Sequence, residues 1–150
     1  MEKFMIKKLL LMSALIFALP SQLFADHHAL ALEARQPQNN LELISIEIGP
    51  EMTTIVAEAA QDMSVYGRVY MTFKLSYNAT NTGGTYTFEG RAYPDQDTAI
   101  SGSGAGIWRR DGTMLVLDQL VAVSNGTVNL DRIVMNPFTR TATIDVYIRE

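Results

Sequence analysis

The chain has 150 residues, with 12 Lys+Arg against 16 Asp+Glu, two His and no Cys, a length that suits one domain. The lack of cysteine excludes disulfides, thiol catalysis and cysteine-ligated metals, and the lack of any basic cluster argues against nucleic acid as a partner. Hydrophobic residues make up 47% of the chain, so an apolar core has to hold the fold without cross-links.

Residues 1–25 read as an export signal. Lys3, Lys7 and Lys8 form a basic start, Leu9 to Leu19 an apolar stretch, and Pro20 precedes the small residue Ala25, the pattern of a secretory leader. Leu23 stands where a small residue is preferred. An uncleaved anchor is the alternative, but the apolar run falls short of the roughly 18 residues a span needs. Cleavage after Ala25 would leave nine basic against fifteen acidic side chains. The expected destination is the periplasm or the exterior, with no stable membrane span after cleavage.

Asp26 to Asn40 is polar, lacks strand alternation and ends in Gln36-Pro37-Gln38-Asn39-Asn40. It is expected to form a flexible arm ahead of a β-barrel domain at 41–150. Cleavage would place His28 third from the new terminus, where an amine, two backbone nitrogens and an imidazole can wrap Cu(II) or Ni(II). The plainer reading is two solvated histidines. No other metal and no cofactor is implied.

Leu41 to Ile48 alternates as a strand and stops at Gly49-Pro50. In Glu51 to Met63, Thr53-Thr54-Ile55-Val56 favours a strand and Ala57-Glu58-Ala59-Ala60-Gln61 a helix; a short strand entering a polar turn is preferred. From residue 65 the alternation is clear. Val65, Val69, Met71, Phe73, Leu75 and Tyr77 share one face of a long strand. Further strands are expected at Thr85–Tyr93, Thr98–Arg109, Thr113–Val123, Thr127–Val134 and Thr139–Arg149, separated by Gly-, Asn-, Asp- and Pro-bearing turns. Asn78-Ala79-Thr80 and Asn125-Gly126-Thr127 match glycosylation acceptors, though both fall in turns where Asn is common. The fold class is therefore all-β, an antiparallel up-and-down meander of seven or eight strands. Closure into a barrel removes its exposed edges.

Gly83 to Gly112 is the most distinctive stretch, with seven of the ten glycines and the only tryptophan. A two-residue turn at Asp111-Gly112 pairs Arg110 with Thr113, and a four-residue turn at 94–97 pairs Tyr93 with Thr98. Counting from these turns gathers Tyr86, Phe88, Ser101, Ser103, Ala105, Ile107, Val116, Asp118 and Leu120 on the expected interior face. Gly102, Gly104, Gly106, Trp108, Leu115, Leu117 and Gln119 then fall on the outer face. An outward stripe of Leu115, Leu117 and Val121 beside the glycines suggests contact with another subunit, or cover by the N-terminal arm. A three-residue loop at 124–126 sets Asp118 opposite Arg132; a two-residue loop sets Gln119 there instead. The first keeps both apolar faces together and is preferred.

Asp118 and Arg132 inside an apolar barrel can be a register-fixing ion pair. They can also be polar or catalytic anchors in a ligand pocket, with Tyr86, Phe88 and Ser103 as ligand-binding neighbours. The glycines do not form a phosphate loop, no Gly-x-Ser-x-Gly elbow occurs, and both histidines lie in the arm. Catalysis would have to rest on Asp, Glu, Arg, Tyr or Lys, which suits proton transfer or cyclisation without a cofactor.

The stretch Tyr66 to Ile148, with Gly83-Gly84-Thr85-Tyr86-Thr87-Phe88-Glu89-Gly90-Arg91-Ala92 and Gly102-Ser103-Gly104-Ala105-Gly106-Ile107-Trp108, resembles the small calycin-like barrels related to allene oxide cyclase and the dirigent proteins. The resemblance lies in architecture and glycine-rich strands, not in a catalytic motif, and this chain lacks the cysteines of the plant cyclases. It implies eight antiparallel strands, a hydrophobic small molecule inside, frequent trimers and, in some members, cyclisation of reactive intermediates. Three functions follow as expectations. The first is an exported barrel binding a hydrophobic small molecule. The second is an isomerase or cyclase using Asp118 and nearby tyrosines. The third is a structural or surface-assembly protein without a ligand.

Overall fold

The computed structural model describes residues 32–149; the expected leader and His28 lie outside them. Nine strands run β1 (Leu32–Ala34), β2 (Asn39–Ile48), β3 (Met52–Ala59), β4 (Arg68–Ser76), β5 (Gly83–Tyr93), β6 (Ile100–Asp111), β7 (Met114–Val123), β8 (Val128–Asn136) and β9 (Thr141–Arg149). Each of β2 to β8 pairs antiparallel with the next, and β9 pairs with both β8 and β2. The meander thus closes into an eight-stranded barrel. The extra strand β1 continues the ladder along β9 beyond the point where β2 leaves it. Closure leaves no long free edge on the wall.

Within residues 51–63, Met52–Ala59 form β3, the expected strand entering a turn, and its alternation puts Thr53, Ile55, Ala57 and Ala59 inside. The helix-favouring alanines yield to a strand pattern paired on both sides, by β2 and β4. In the described part of the expected arm, Leu32–Ala34 forms β1, β2 starts at Asn39, and Arg35 and Gln38 between them bond to the barrel wall. Arg35 N donates to Val146 O at 2.9 Å, Gln38 Nε2 donates to both carboxylate oxygens of Asp145 at 3.0 Å, and Gln36 is buried. Met63 to Gly67 forms a single 3₁₀ turn whose Met63 and Tyr66 reach into the same end of the barrel.

Register is where structure and expectation part. The ladder between β5 and β6 ends at Ala92 opposite Ile100, one residue beyond what a four-residue turn would give. Asp95 organises the longer loop: its carboxylate accepts from Asp97 N and from Thr98 Oγ1, both at 2.9 Å. In a strand a slip of one residue exchanges the two faces. Tyr86 and Phe88 are inside as expected, but they face Gly106 and Gly104, not Ala105 and Ser103. The next turn differs too. Gly112 and Thr113 are its central residues, with Asp111 opposite Met114 and Gly112 at φ 59°, so Trp108 faces Leu117. That slip is of two residues and leaves the faces unchanged.

The consequence is that Gly102, Gly104, Gly106, Trp108, Leu117, Gln119 and Val121 belong to the interior face. Ser101, Ser103, Ala105, Ile107, Asp118 and Leu120 belong to the outer one. The expected outward stripe of Leu115, Leu117 and Val121 is therefore inward, and its suggestion of a subunit contact lapses with it. The two interior strands differ in kind for a reason. On β5 the Phe88 ring needs the room that Gly90 leaves, while on β6 a Cβ at Gly104 or Gly106 would meet the β7 backbone. The Phe88 ring lies where a Cβ on Gly90 would have to go, 2.7 Å from its Cζ, and it packs on Phe73 at 5.3 Å between centroids. Phe73, Ile55, Leu41, Leu75, Leu117, Ile133 and Met135 are fully buried and fill the middle of the barrel.

Candidate functional site

The loop between β7 and β8 has the three-residue form: Gly126 is left-handed at φ 88°, and Val123 N donates to Thr127 O at 2.9 Å. Asp118 accordingly lies opposite Arg132, as the preferred register requires. Arg132 Nε donates to Asp118 Oδ1 at 2.7 Å and Nη2 donates to Oδ2 at 3.2 Å. The pair is nevertheless on the outer wall, with side chains 35% (Asp118) and 55% (Arg132) exposed. The carboxylate holds the Arg132 guanidinium further above its ordinary range. Ser103 is also on the outer face and exposed. Neither it nor the ion pair lines the lumen, which corrects their expected placement. Solvent screening makes such a pair a weak contributor. Asp118→Asn is expected to move the urea midpoint far less than Asp131→Asn; an effect as large would show that the pair is structurally important.

The same register carries one position further round to the interior. Where Asp118 faces Arg132 outside, Gln119 faces Asp131 inside. Gln119 Nε2 donates to Asp131 Oδ2 at 3.0 Å. Two residues along β8, Asn129 Nδ2 donates to Tyr66 Oη at 2.8 Å, linking the 3₁₀ turn to the wall. Tyr86 on β5 stands in the same cross-strand row, opposite Gly106, which is itself opposite Gln119. Gln119, Asn129, Asp131 and Tyr86 are each no more than 4% exposed. Four of their polar atoms nonetheless have no hydrogen-bond partner among the described residues: Gln119 Oε1, Asn129 Oδ1, Asp131 Oδ1 and Tyr86 Oη. Buried polar groups are paired in the great majority of cases, so such a concentration calls for an explanation.

Burial controls the electrostatics. It raises the Asp131 carboxyl to about 6, against the opposing pull of the Gln119 hydrogen bond and the Arg35 guanidinium. Burial, helped by the negative charges of Asp131 and Asp118, also pushes the Tyr86 phenol well above its ordinary range. Beside Asn129, Asp131 and Tyr66 lies a cavity of about 60 Å³ under the 3₁₀ turn. Its remaining walls are mainly apolar, including Met71, Phe88, Val121, Ile144 and Val146, with Gly90 and Gly102 giving a flat floor. That is room for several waters or a small molecule, not for a large lipid.

The opposite end holds a recess of about 210 Å³ lined by Ile46, Ile48, Tyr77, Trp108, Leu115 and others. Three of its polar side chains, Thr53, Tyr77 and Trp108, have partners. Trp108 Nε1 donates to Ser76 O at 2.8 Å, and Thr53 Oγ1 shares a hydrogen bond with the Tyr77 hydroxyl. It offers a ligand surface but, among the described residues, no buried polar atom without a partner.

Both glycosylation-like asparagines serve their turns. Asn78 Oδ1 accepts from Thr80 N and Thr82 N, and Asn125 Oδ1 from Thr127 N and Oγ1. Among the described residues no group of three or more His, Cys, Asp or Glu is placed to hold a metal ion, and no helix is long and apolar enough to cross a membrane. No protein-family model matches the chain, and comparison with curated proteins and with solved structures likewise finds no match.

Of the site residues expected from sequence, the structure brings Tyr86 and Phe88 into the lumen. Sequence reading missed Gln119, Asn129 and Asp131. Their signal was present as three polar residues at every second position facing inward across two strands, once the register is known.

Proposed function

We propose that this protein is an exported small β-barrel that binds a small, largely apolar molecule inside its lumen. The observation that carries this reading is the pair of unpaired oxygens on Asn129 and Asp131, both of which line a mainly apolar cavity, with the unpaired atoms of Gln119 and Tyr86 in the cross-strand row that ends at Asp131. Ligand sites are commonly built this way, with apolar walls and a few placed polar groups that orient the guest. In an apo barrel those groups would each cost about 1–3 kcal/mol if left dry; a guest or ordered water offsets that. The small volume favours a compact guest among the hydrophobic small molecules that the resemblance to allene oxide cyclase and dirigent barrels implies.

A second reading, an isomerase or cyclase without a cofactor, is favoured by one feature. Asp131 is a buried carboxyl poised near neutrality next to a phenol, which suits proton transfer on a bound guest. Asp131 replaces Asp118 as the candidate acid or base in that reading. Ile107, Leu120 and Val128 are the exposed apolar residues of the β6–β8 wall that a homo-oligomer, such as a trimer, would use.

Native mass spectrometry of protein purified from its own host tests these readings together. A co-purifying small molecule, lost in Gln119→Leu/Asn129→Leu, is expected. An empty protein that converts a candidate substrate would favour the enzyme, and an empty, inert oligomer would favour a structural role.

A further inference from the structure

We propose that the lumen takes a small primary alkylamine, bound as its ammonium, with the head against Asn129 and Asp131 on the cavity wall, next to the Gln119 that bonds Asp131, and the carbon chain in the apolar part of the cavity. This rests on the lumen-binding reading above and adds the chemical class of the ligand.

The argument is an inventory of donors and acceptors. An ionised carboxylate only accepts, so the contact between Gln119 and Asp131 Oδ2 must be made by Gln119 Nε2. That orients the amide and leaves Oε1 as a free acceptor. Asn129 gives its Nδ2 to Tyr66 and keeps Oδ1 free. Asp131 keeps Oδ1 free. The three unpaired atoms of this wall are therefore all acceptors. They are also neighbours: Gln119 and Asp131 face each other across β7 and β8, and Asn129 is two residues from Asp131 on the same face. Such positions lie roughly 5–7 Å apart at the backbone.

An ammonium carries three donors and no acceptor, and it brings the charge that a buried carboxylate lacks. A hydroxyl has one donor. A carboxylate would set acceptors against acceptors beside a like charge. The other titratable groups around Asp131 do not fill the role. Tyr86 from β5 leaves its hydroxyl unpaired, and Tyr66 from the 3₁₀ turn is already bonded to Asn129. Arg35, between β1 and β2, is near enough to act on Asp131 through its charge but makes no hydrogen bond to it, and its own Nε is unpaired. The cavity of about 60 Å³ limits the chain to a few carbons along Met71, Phe88, Val121 and Ile144.

The test uses three probes of one chain length at pH 7.5: n-butylamine, n-butanol and sodium butyrate. Binding is followed by the side-chain amide resonances of Gln119 and Asn129 in ¹⁵N-labelled protein. Butylamine is expected to shift both and to bind at least tenfold more tightly than butanol, with butyrate inert. Asp131→Asn should weaken butylamine at least tenfold and leave butanol unchanged; Asn129→Leu should weaken butylamine selectively even if Asp131→Asn does not fold. Butanol or butyrate binding as tightly as butylamine would overturn the amine assignment while leaving lumen binding intact. If none of the three moves the lumenal resonances, lumen binding itself falls.

Discussion

Gly106→Ala is expected to cost about 3 kcal/mol or more in unfolding free energy and to yield little folded protein. A Cβ there would stand 2.0 Å from Asp118 O and 2.8 Å from Gln119 Cα. Both atoms are backbone of the neighbouring strand, so no side-chain rotation relieves the clash, and the cost exceeds that of ordinary overpacking, about 1–3 kcal/mol. Gly104 is in the same position, 2.2 Å from Leu120 O. The pair lets β6 and β7 approach closely and coil, the device by which glycine gives a barrel wall its curvature. Gly102→Ala is the informative comparison. Its Cβ would meet a Val121 methyl at 3.1 Å, which can give way, so a smaller loss is expected. Urea unfolding of the three alanine variants measures this; a Gly106→Ala protein as stable as Gly102→Ala would refute the close approach.

Asp131→Asn is expected to stabilise the protein at neutral pH and to flatten its pH dependence. Burial raises the folded-state carboxyl to about 6, against about 3.9 in an unfolded chain. Between those values the folded protein holds a proton that the unfolded chain has lost. Stability therefore falls as pH rises through this window, and the contribution is fully present only below about 4. The difference of about two units corresponds to on the order of 3 kcal/mol at neutral pH. Asparagine has no charge to bury and can still accept from Gln119. The variant should gain most at pH 7–8 and converge with the parent near pH 4. Unfolding free energies measured from pH 4 to 8 check this, and parallel profiles for the two proteins would contradict it. If the lumen holds a cation in the cell, added butylamine should narrow the gap at pH 7.5, because ligand that binds only the folded state stabilises it.

The amino-acid order was enough for the class of fold. Alternation such as Val69, Met71, Phe73 and Leu75 on β4 is a local property of two-residue period, and the turns announce themselves by Gly, Asn and Asp with side chains that bond their own backbone. The β7–β8 register was readable only as a choice: Asn125-Gly126 allow a loop of two or three residues, and the preference for three, which keeps the apolar faces together, sets Asp118 opposite Arg132 as observed. The loop after Tyr93 was not. Pro94-Asp95-Gln96-Asp97 looks like a four-residue turn, and only Asp95 reaching both Asp97 N and Thr98 Oγ1 shows that the loop runs one residue longer.

That single residue decided which face of β6, β7 and β8 became the lumen. A strand carries two faces of similar polarity when one bears Ser103, Ala105, Ile107 and Leu120 and the other Gly104, Gly106, Leu117 and Gln119. Local chemistry does not rank them. The choice is made by packing between neighbouring strands, where the β7 backbone leaves no room for a Cβ at 104 or 106. Composition, alternation and turn residues thus determined an antiparallel closed barrel. Tertiary structure alone decided that Asp131, not Asp118, is the buried carboxylate, because burial is a property of the register and the register is a sum over every loop between the strands.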